Sequence, residues 1–226
     1  MKIKKEKKKG GARPKGKVNI KWSPDFAYAV GLLASDGHIS KDGRHISFVS
    51  KDIEQTLNFA ICLGINNKIG NTFGSFNNIA TRIQFGDVKF VEFLNEIGIT
   101  KAKSKTIGEL KIPDEYFFDF LRGEFDGDGS TYSYWDKRWR SSFMYYLEFA
   151  SASQNFIDWM ASNILRLSGA KWHVTRNRRN SCLQLKFAKK SALIIIKKMY
   201  YSGVKTFLPR KRLKIDKMLG IVGQSV

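Results

Sequence analysis

Two stretches of this 226-residue chain match when one is shifted by 92 positions: Phe26 falls on Phe118, Gly31 on Gly123, Asp36 on Asp128 and Gly37 on Gly129. A repeat with a period near half the chain predicts two like units packed together, because such a unit does not bury its apolar face alone. Each stretch opens as a helix does. Ser23-Pro24-Asp25 supplies an N-cap, a proline in the first turn and an acid there, and Ile112-Pro113-Asp114-Glu115 opens the second. The helices are expected over 26–35 and 117–125, each stopping at Asp-Gly.

The segments beyond the two helices also correspond. Alternating runs near 45–50, 68–75 and 80–85 and helical runs at 53–63 and 88–97 are matched by strands near 130–135, 143–150, 171–177 and 182–187 and helices at 154–167 and 190–201. Each half thus reads helix–strand–strand–helix–strand–strand–helix, an α+β class. The expected division is an arm over 1–21, a first half over 22–97, a linker over 98–112, a second half over 113–202 and a basic tail over 203–226. The arm is Lys/Gly-rich and expected to be disordered, since it has little apolar surface to bury.

Glycine inside a helix costs about 1 kcal/mol relative to alanine, so Gly31 and Gly123 need a reason. Ala27, Gly31 and Ser35 form a small-residue stripe at i, i+4, i+8, and Gly123 and Gly127 repeat it. Such stripes let two helix backbones approach closely, so the two helices are expected to pack on each other. If they run parallel, Asp36 and Asp128 meet at the negative ends of both helix dipoles, which a divalent cation such as Mg²⁺ relieves. An EF-hand loop from Asp126 fails, because its sixth and twelfth places hold Thr131 and Lys137. A plain Asp-Gly turn explains one such end but not two at matching positions.

The formal charge is +20, and residues 1–21 carry only +9 of it, so the body is itself basic. That predicts a polyanion partner. Two cysteines without CxxC spacing, Cys62 and Cys182, exclude a disulfide scaffold and fit a reducing compartment. No apolar run is long enough to span a bilayer, and the lysines at the start are followed by no signal-peptide core. His38, His45 and His173 have no zinc spacing.

AVGLLASDG (29–37) and LRGEFDGDG (121–129) resemble the two signature helices of the single-chain LAGLIDADG homing endonucleases, and the likeness extends over about 22–215. It implies tandem αββαββα repeats whose two antiparallel sheets form a saddle over double-stranded DNA. It also implies a monomer with an internal pseudo-twofold, making a staggered double-strand cut in a long target with Mg²⁺; Mn²⁺ is expected to substitute and Ca²⁺ to bind without efficient cutting. Asp36 and Asp128 match the metal-binding acids, with the carbonyls of Ser35 and Gly127 beside them and Asp126 in support. A helper lysine is implied before the last helix of a half: Lys189, with Lys190 as rival, whereas the first half has Asp87 there and Lys89 two residues on. Lys51 is an alternative water-positioning residue, with Ala152 as its counterpart.

Strand alternation puts Leu183, Leu185 and Phe187 inward and Gln184 and Lys186 outward; likewise Ile83 and Phe85 inward, Arg82 and Gln84 outward. Arg82, Gln84, Gln184 and Lys186 are therefore candidate DNA contacts, joined by Arg176, Arg178 and Arg179. A non-cleaving DNA-binding regulator and an RNA maturase acting on a host intron are the alternative functions. The expected location is intracellular and reducing, a prokaryotic cytoplasm or an organelle matrix. An intein is disfavoured by the GIVGQSV ending.

Overall fold

The computed structural model describes residues 16–73, 79–139, 141–176 and 182–223. The first unit runs α1 (Pro24–Asp36), β1 (Gly37–Ile39), β2 (His45–Ser50), α2 (Ile53–Leu63), β3 (Ile69–Phe73), β4 (Ile79–Gly86) and α3 (Val88–Glu96). The second repeats it as α4 (Phe117–Asp128), β5 (Ser130–Trp135), β6 (Phe143–Ser151), α5 (Gln154–Ser168), β7 (His173–Arg176), β8 (Leu183–Ala188) and α6 (Lys189–Met199), followed by α7 (Pro209–Ile221). Two four-stranded antiparallel sheets have the same topology, β1-β2-β4-β3 and β5-β6-β8-β7. The αββαββα tandem is as expected, and its helices start where local chemistry dictates. Ser23 Oγ accepts from Phe26 N at 3.1 Å, and the Ser153 side chain caps α5 from the same position.

The two units meet along α1 and α4. A β-carbon on Gly31 would lie 2.1 Å from the Phe120 carbonyl oxygen, and one on Gly123 would lie 2.1 Å from that of Tyr28. The next contact up the stripe sets Gly127 against Ser35 and Asp36. The helices therefore run parallel in steps of four, backbone against backbone, and their C-terminal ends coincide. Helix α1 is buried on nearly its whole circumference and α4 almost as fully.

Gly37 and Gly129 cap these helices with φ of −75° and −80°, outside the left-handed region. They are glycines because a β-carbon there would strike the Leu33 and Phe125 backbones at 2.7 and 2.6 Å. An ordinary left-handed C-cap is thus excluded at both ends, and the chain turns directly from helix into the first strand.

Two boundaries differ from expectation. Within the arm expected over 1–21, Val18 is buried and the N–H groups of Lys17 and Val18 donate to Asp87 Oδ2, while Asn19, Ile20 and Lys21 are exposed. The basic tail expected over 203–226 instead contains α7, which buries Lys211, Ile215, Met218 and Leu219. Those positions form one helical stripe, masked in the sequence by the charges of PRKRLKIDK.

Candidate catalytic and nucleic-acid site

Asp36 and Asp128 end α1 and α4, and both remain open to solvent while the helices beneath them are closed. The pair is close enough for one acid to act on the other. Burial, and then the charge of Asp128, pushes the Asp36 carboxyl up to about 6. Burial likewise raises Asp128. One turn below lies Glu124, wholly enclosed at the helix interface and raised far above the usual carboxylate range by burial and then by Asp128. Its Oε2 has no hydrogen-bond partner in the protein. Glu124, Asp128, Ser35, Ala152 and Cys182 line a cavity of about 200 Å³.

Two buried lysines answer these acids, and no motif in the sequence marks either. Lys103, from the connector between the units, donates through Nζ to the carbonyls of Ser35 and Gly37 at 3.2 and 2.7 Å. Lys211, from α7, donates to those of Phe125, Gly127 and Gly129 at 2.6, 2.9 and 2.7 Å. Each ammonium thus sits on the C-terminal carbonyls of one signature helix, where the dipole favours a cation. Both lysines bear on the acid pair and lower its affinity for protons. Burial in turn lowers Lys103, and lowers Lys211 to about 8.

Lys211 is set in place by charges buried inside α4. The Arg122 guanidinium donates to Asp119 at 2.8 Å and to the carbonyls of Met199 and Thr206. Asp126 Oδ2 accepts from Tyr28 Oη at 2.8 Å and from Leu208 N at 2.7 Å. Together they pin the approach to α7. The signal available in the sequence was three charged residues, Arg122, Glu124 and Asp126, in a helix that must be buried all round.

The other expected residues scatter. Lys51 is exposed just past the end of β2; its counterpart Ala152 borders the cavity beside Asp128. Lys189 starts α6, three residues beyond Lys186, which is level across the sheet with Glu148 and Ser130. Asp87 is buried as the N-cap of α3, accepting from Phe90 N at 3.0 Å, so it holds the arm and the helix. Arg82 and Gln84 stand exposed together on the outer face of the first sheet, Arg82 Nη2 donating to Gln84 Oε1 at 2.5 Å. Gln184 and Lys186 share the outer face of the second, with Lys186 in an ion pair with Glu148 at 2.8 Å. Arg176 pairs in register with Leu183, so alternation turns it to the opposite face. Arg178 and Arg179 lie outside the described residues.

Comparison with solved structures agrees with this architecture. The chain superposes on the homing endonuclease I-WcaI bound to its DNA recognition sequence with a TM-score of 0.59, 13% identity and coverage of 85% of this chain and 86% of that one. Mesophilic variants of the homing endonuclease I-DmoI give 0.55, 13%, 85% and 97%. The fold is the LAGLIDADG fold in its single-chain, two-motif form.

The LAGLIDADG fold also occurs in full-length DUF199/WhiA from Thermatoga maritima, which gives a TM-score of 0.56 at 14% identity over 92% of this chain and 64% of that one. In sequence, 121 residues are 31% identical to the RNA polymerase subunit Rpo1C of Methanocaldococcus jannaschii; this is 50% of the chain and only 13% of that protein's length. No family model matches. Among the described residues, no helix is long and apolar enough to cross a membrane.

The donor set suits a hard cation. Two carboxylates with backbone oxygens beside them are ligands that Mg²⁺ accepts alongside water and phosphate, and the enforced closeness of the acids is relieved by positive charge. No group of three or more His, Cys, Asp or Glu side chains forms a metal cage among the described residues. The carbonyls of Ser35 and Gly127 already accept from Lys103 and Lys211, each with a second lone pair left.

The raised Asp36 predicts a pH effect. A carboxyl held above its unfolded value, ~3.9, contributes stability below that value and loses it as pH rises through about 6. In metal-free buffer the melting temperature of Asp36→Asn should therefore gain on that of wild type between pH 5 and 7. Added Mg²⁺ should close the gap. A pH-independent difference would show that the pair is not strained.

Proposed function

We propose that this protein is a site-specific, divalent-metal-dependent DNA endonuclease that cuts both strands of a long duplex. The observation that carries the reading is the open Asp36–Asp128 pair, built by two helices that would not otherwise place like charges together. The basic body and the two outer sheet faces supply the surface for a duplex.

Asp36 and Asp128 would hold the metal, with the free lone pairs of the Ser35 and Gly127 carbonyls and water completing its shell. A metal held there would supply activation of a water for attack and charge stabilisation for a phosphodiester displacement. Lys103 and Lys211 hold the helix-end carbonyls in place and lend positive charge beside the phosphates. Arg82, Gln84, Gln184 and Lys186 face the groove. Mn²⁺ is expected to substitute and Ca²⁺ to support binding with little cutting, as its looser geometry positions water less strictly.

The test begins with selection of a bound duplex from a random-sequence library in Ca²⁺, followed by incubation with Mg²⁺. A staggered double-strand break is expected. A selected duplex that is never nicked in Mg²⁺ or Mn²⁺ would promote a non-cleaving regulator. That second reading is favoured by the lysines themselves, which already neutralise the helix ends without a metal. Affinity should also fall steeply with salt, by roughly 10³-fold or more between 50 and 200 mM for six or more phosphate contacts. A flat salt response, measured by titration, would contradict a groove-binding surface. A maturase role would appear as specific binding to host intron RNA.

A further inference from the structure

The two sheets present different chemistry to the proposed duplex, and the difference lies in one cluster. On the outer face of the second sheet, Tyr132 pairs in register with Tyr146 across β5 and β6. Their ring centroids are 4.8 Å apart and their planes 12° from parallel. Tyr134 extends the column, stacked on Tyr146 at 6.3 Å and 13°. At the corresponding first-sheet position, judged by strand register, His45 replaces Tyr146 and is tied to Asp42 at 2.7 Å. Ser40 replaces Tyr132.

The orientation of the rings decides what they can touch. Rings on neighbouring strands, parallel and separated by the strand spacing, face each other across the sheet and stand up from it. Tyr146 is covered by tyrosines on one side and met edge-on by His173 at 6.4 Å on the other. Sequence-tolerant binding of single strands needs open ring faces on which bases stack, and the central ring is already stacked on its neighbours. Tyr132 and Tyr134 stay exposed, their upper ring edges included. Beside the column, Lys186 lies 5.5 Å from the Tyr132 ring centroid and is held by Glu148, and Gln184 Oε1 is engaged by Thr175. Polar side chains are internally paired on both outer faces, Arg82 with Gln84 on the first and Lys186 and Gln184 with Glu148 and Thr175 on the second. What the second face adds is the ring column, whose hydroxyls are engaged by Lys186 at Tyr132 and between Tyr134 and Tyr146. The apolar feature that a base edge offers in the major groove is the thymine C5-methyl.

Resting on the endonuclease reading's duplex partner, we infer that the second repeat reads its half of the target through Tyr132, Tyr134 and Tyr146, which pack their ring edges on thymine methyl groups. The target is chemically asymmetric: one half is selected by methyl contacts that Ser40 and His45, at the matching positions of the first sheet, do not offer.

The experiment selects duplexes from a random library with wild type and with Tyr146→His, which installs the first repeat's residue. Wild type should enrich a site with adjacent thymines in one half, and Tyr146→His should relax that half alone. Replacing those thymines by deoxyuridine removes only the methyls. Each replacement should weaken wild-type binding about fourfold, the value of one buried methyl-sized group, and should leave Tyr146→His binding unchanged. Deoxyuridine in the other half should have little effect. Tyr132→Ser is the second variant, with circular dichroism and melting showing that each protein is folded. An enriched site whose binding is indifferent to deoxyuridine, or equally sensitive in both halves, overturns the inference and leaves the duplex reading standing. No enriched duplex, or tighter binding to single-stranded RNA than to any duplex, overturns both.

Discussion

Asp36→Asn and Asp128→Asn are each expected to lower the single-turnover rate of double-strand cleavage by at least about 10²–10³-fold while leaving target binding intact or tighter. Either change keeps the size and shape of the side chain and removes one of the two charges that, in the proposed function, would hold a divalent cation. A lost stabilisation of several kcal/mol at the reacting phosphate corresponds to rate losses of that order. Binding survives because the acids face a polyanion and repel it when no metal intervenes. Quenched cleavage assays and gel-shift titrations on the selected duplex separate the two effects. Lys103→Met and Lys211→Met should slow cutting less than the aspartate changes and more than Lys189→Met, since the first two lysines bond the carbonyls at the acid-bearing helix ends and Lys189 opens α6. An aspartate variant that cuts within tenfold of wild type would remove the pair from the chemistry.

Gly123→Ala is expected to be the most damaging small change to stability. One methyl group would have to occupy space 2.1 Å from the Tyr28 carbonyl and 3.0 Å from Leu32 N, where only backbone stands. The helices must separate, loosening the contact that joins the two units. Overpacking of this kind costs about 3 kcal/mol or more, a large share of the ~5–15 kcal/mol that holds a domain together. For a chain of this size that is a fall in melting temperature of roughly 6–12 °C. Gly31→Ala should behave alike, and the double variant should cost less than the sum, because both changes relieve themselves by the same separation. Gly70→Ala is the control: a β-carbon there meets nothing within 4 Å. Equal melting temperatures for Gly123→Ala and Gly70→Ala would show that the helices are not in backbone contact.

Much of this architecture was legible because its causes are local or periodic. The cap at Ser23, the alternation of Leu183, Leu185 and Phe187, and the small-residue stripes of α1 and α4 each act within a few residues, and each was readable in the sequence. The duplication extended that knowledge across the chain, since Gly31 and Gly123 explain each other only as a pair. Asp36 and Asp128 followed from that pairing, because parallel helices with matched stripes bring matched ends together.

What the tertiary structure decided is which distant groups reach those ends. Lys103 lies 68 residues from Ser35 and Lys211 lies 84 from Gly127, each in a lysine-rich stretch where no spacing sets one residue apart. The same holds for the tyrosine column. Alternation places Tyr132 and Tyr134 on one face, but only strand register stacks Tyr146 against them. A helix cap or a strand face is set by bonds along the chain. The partner of a buried ammonium is set by where the chain returns after dozens of residues, as α7 settles against β5 beside the end of α4 and the connector reaches the end of α1.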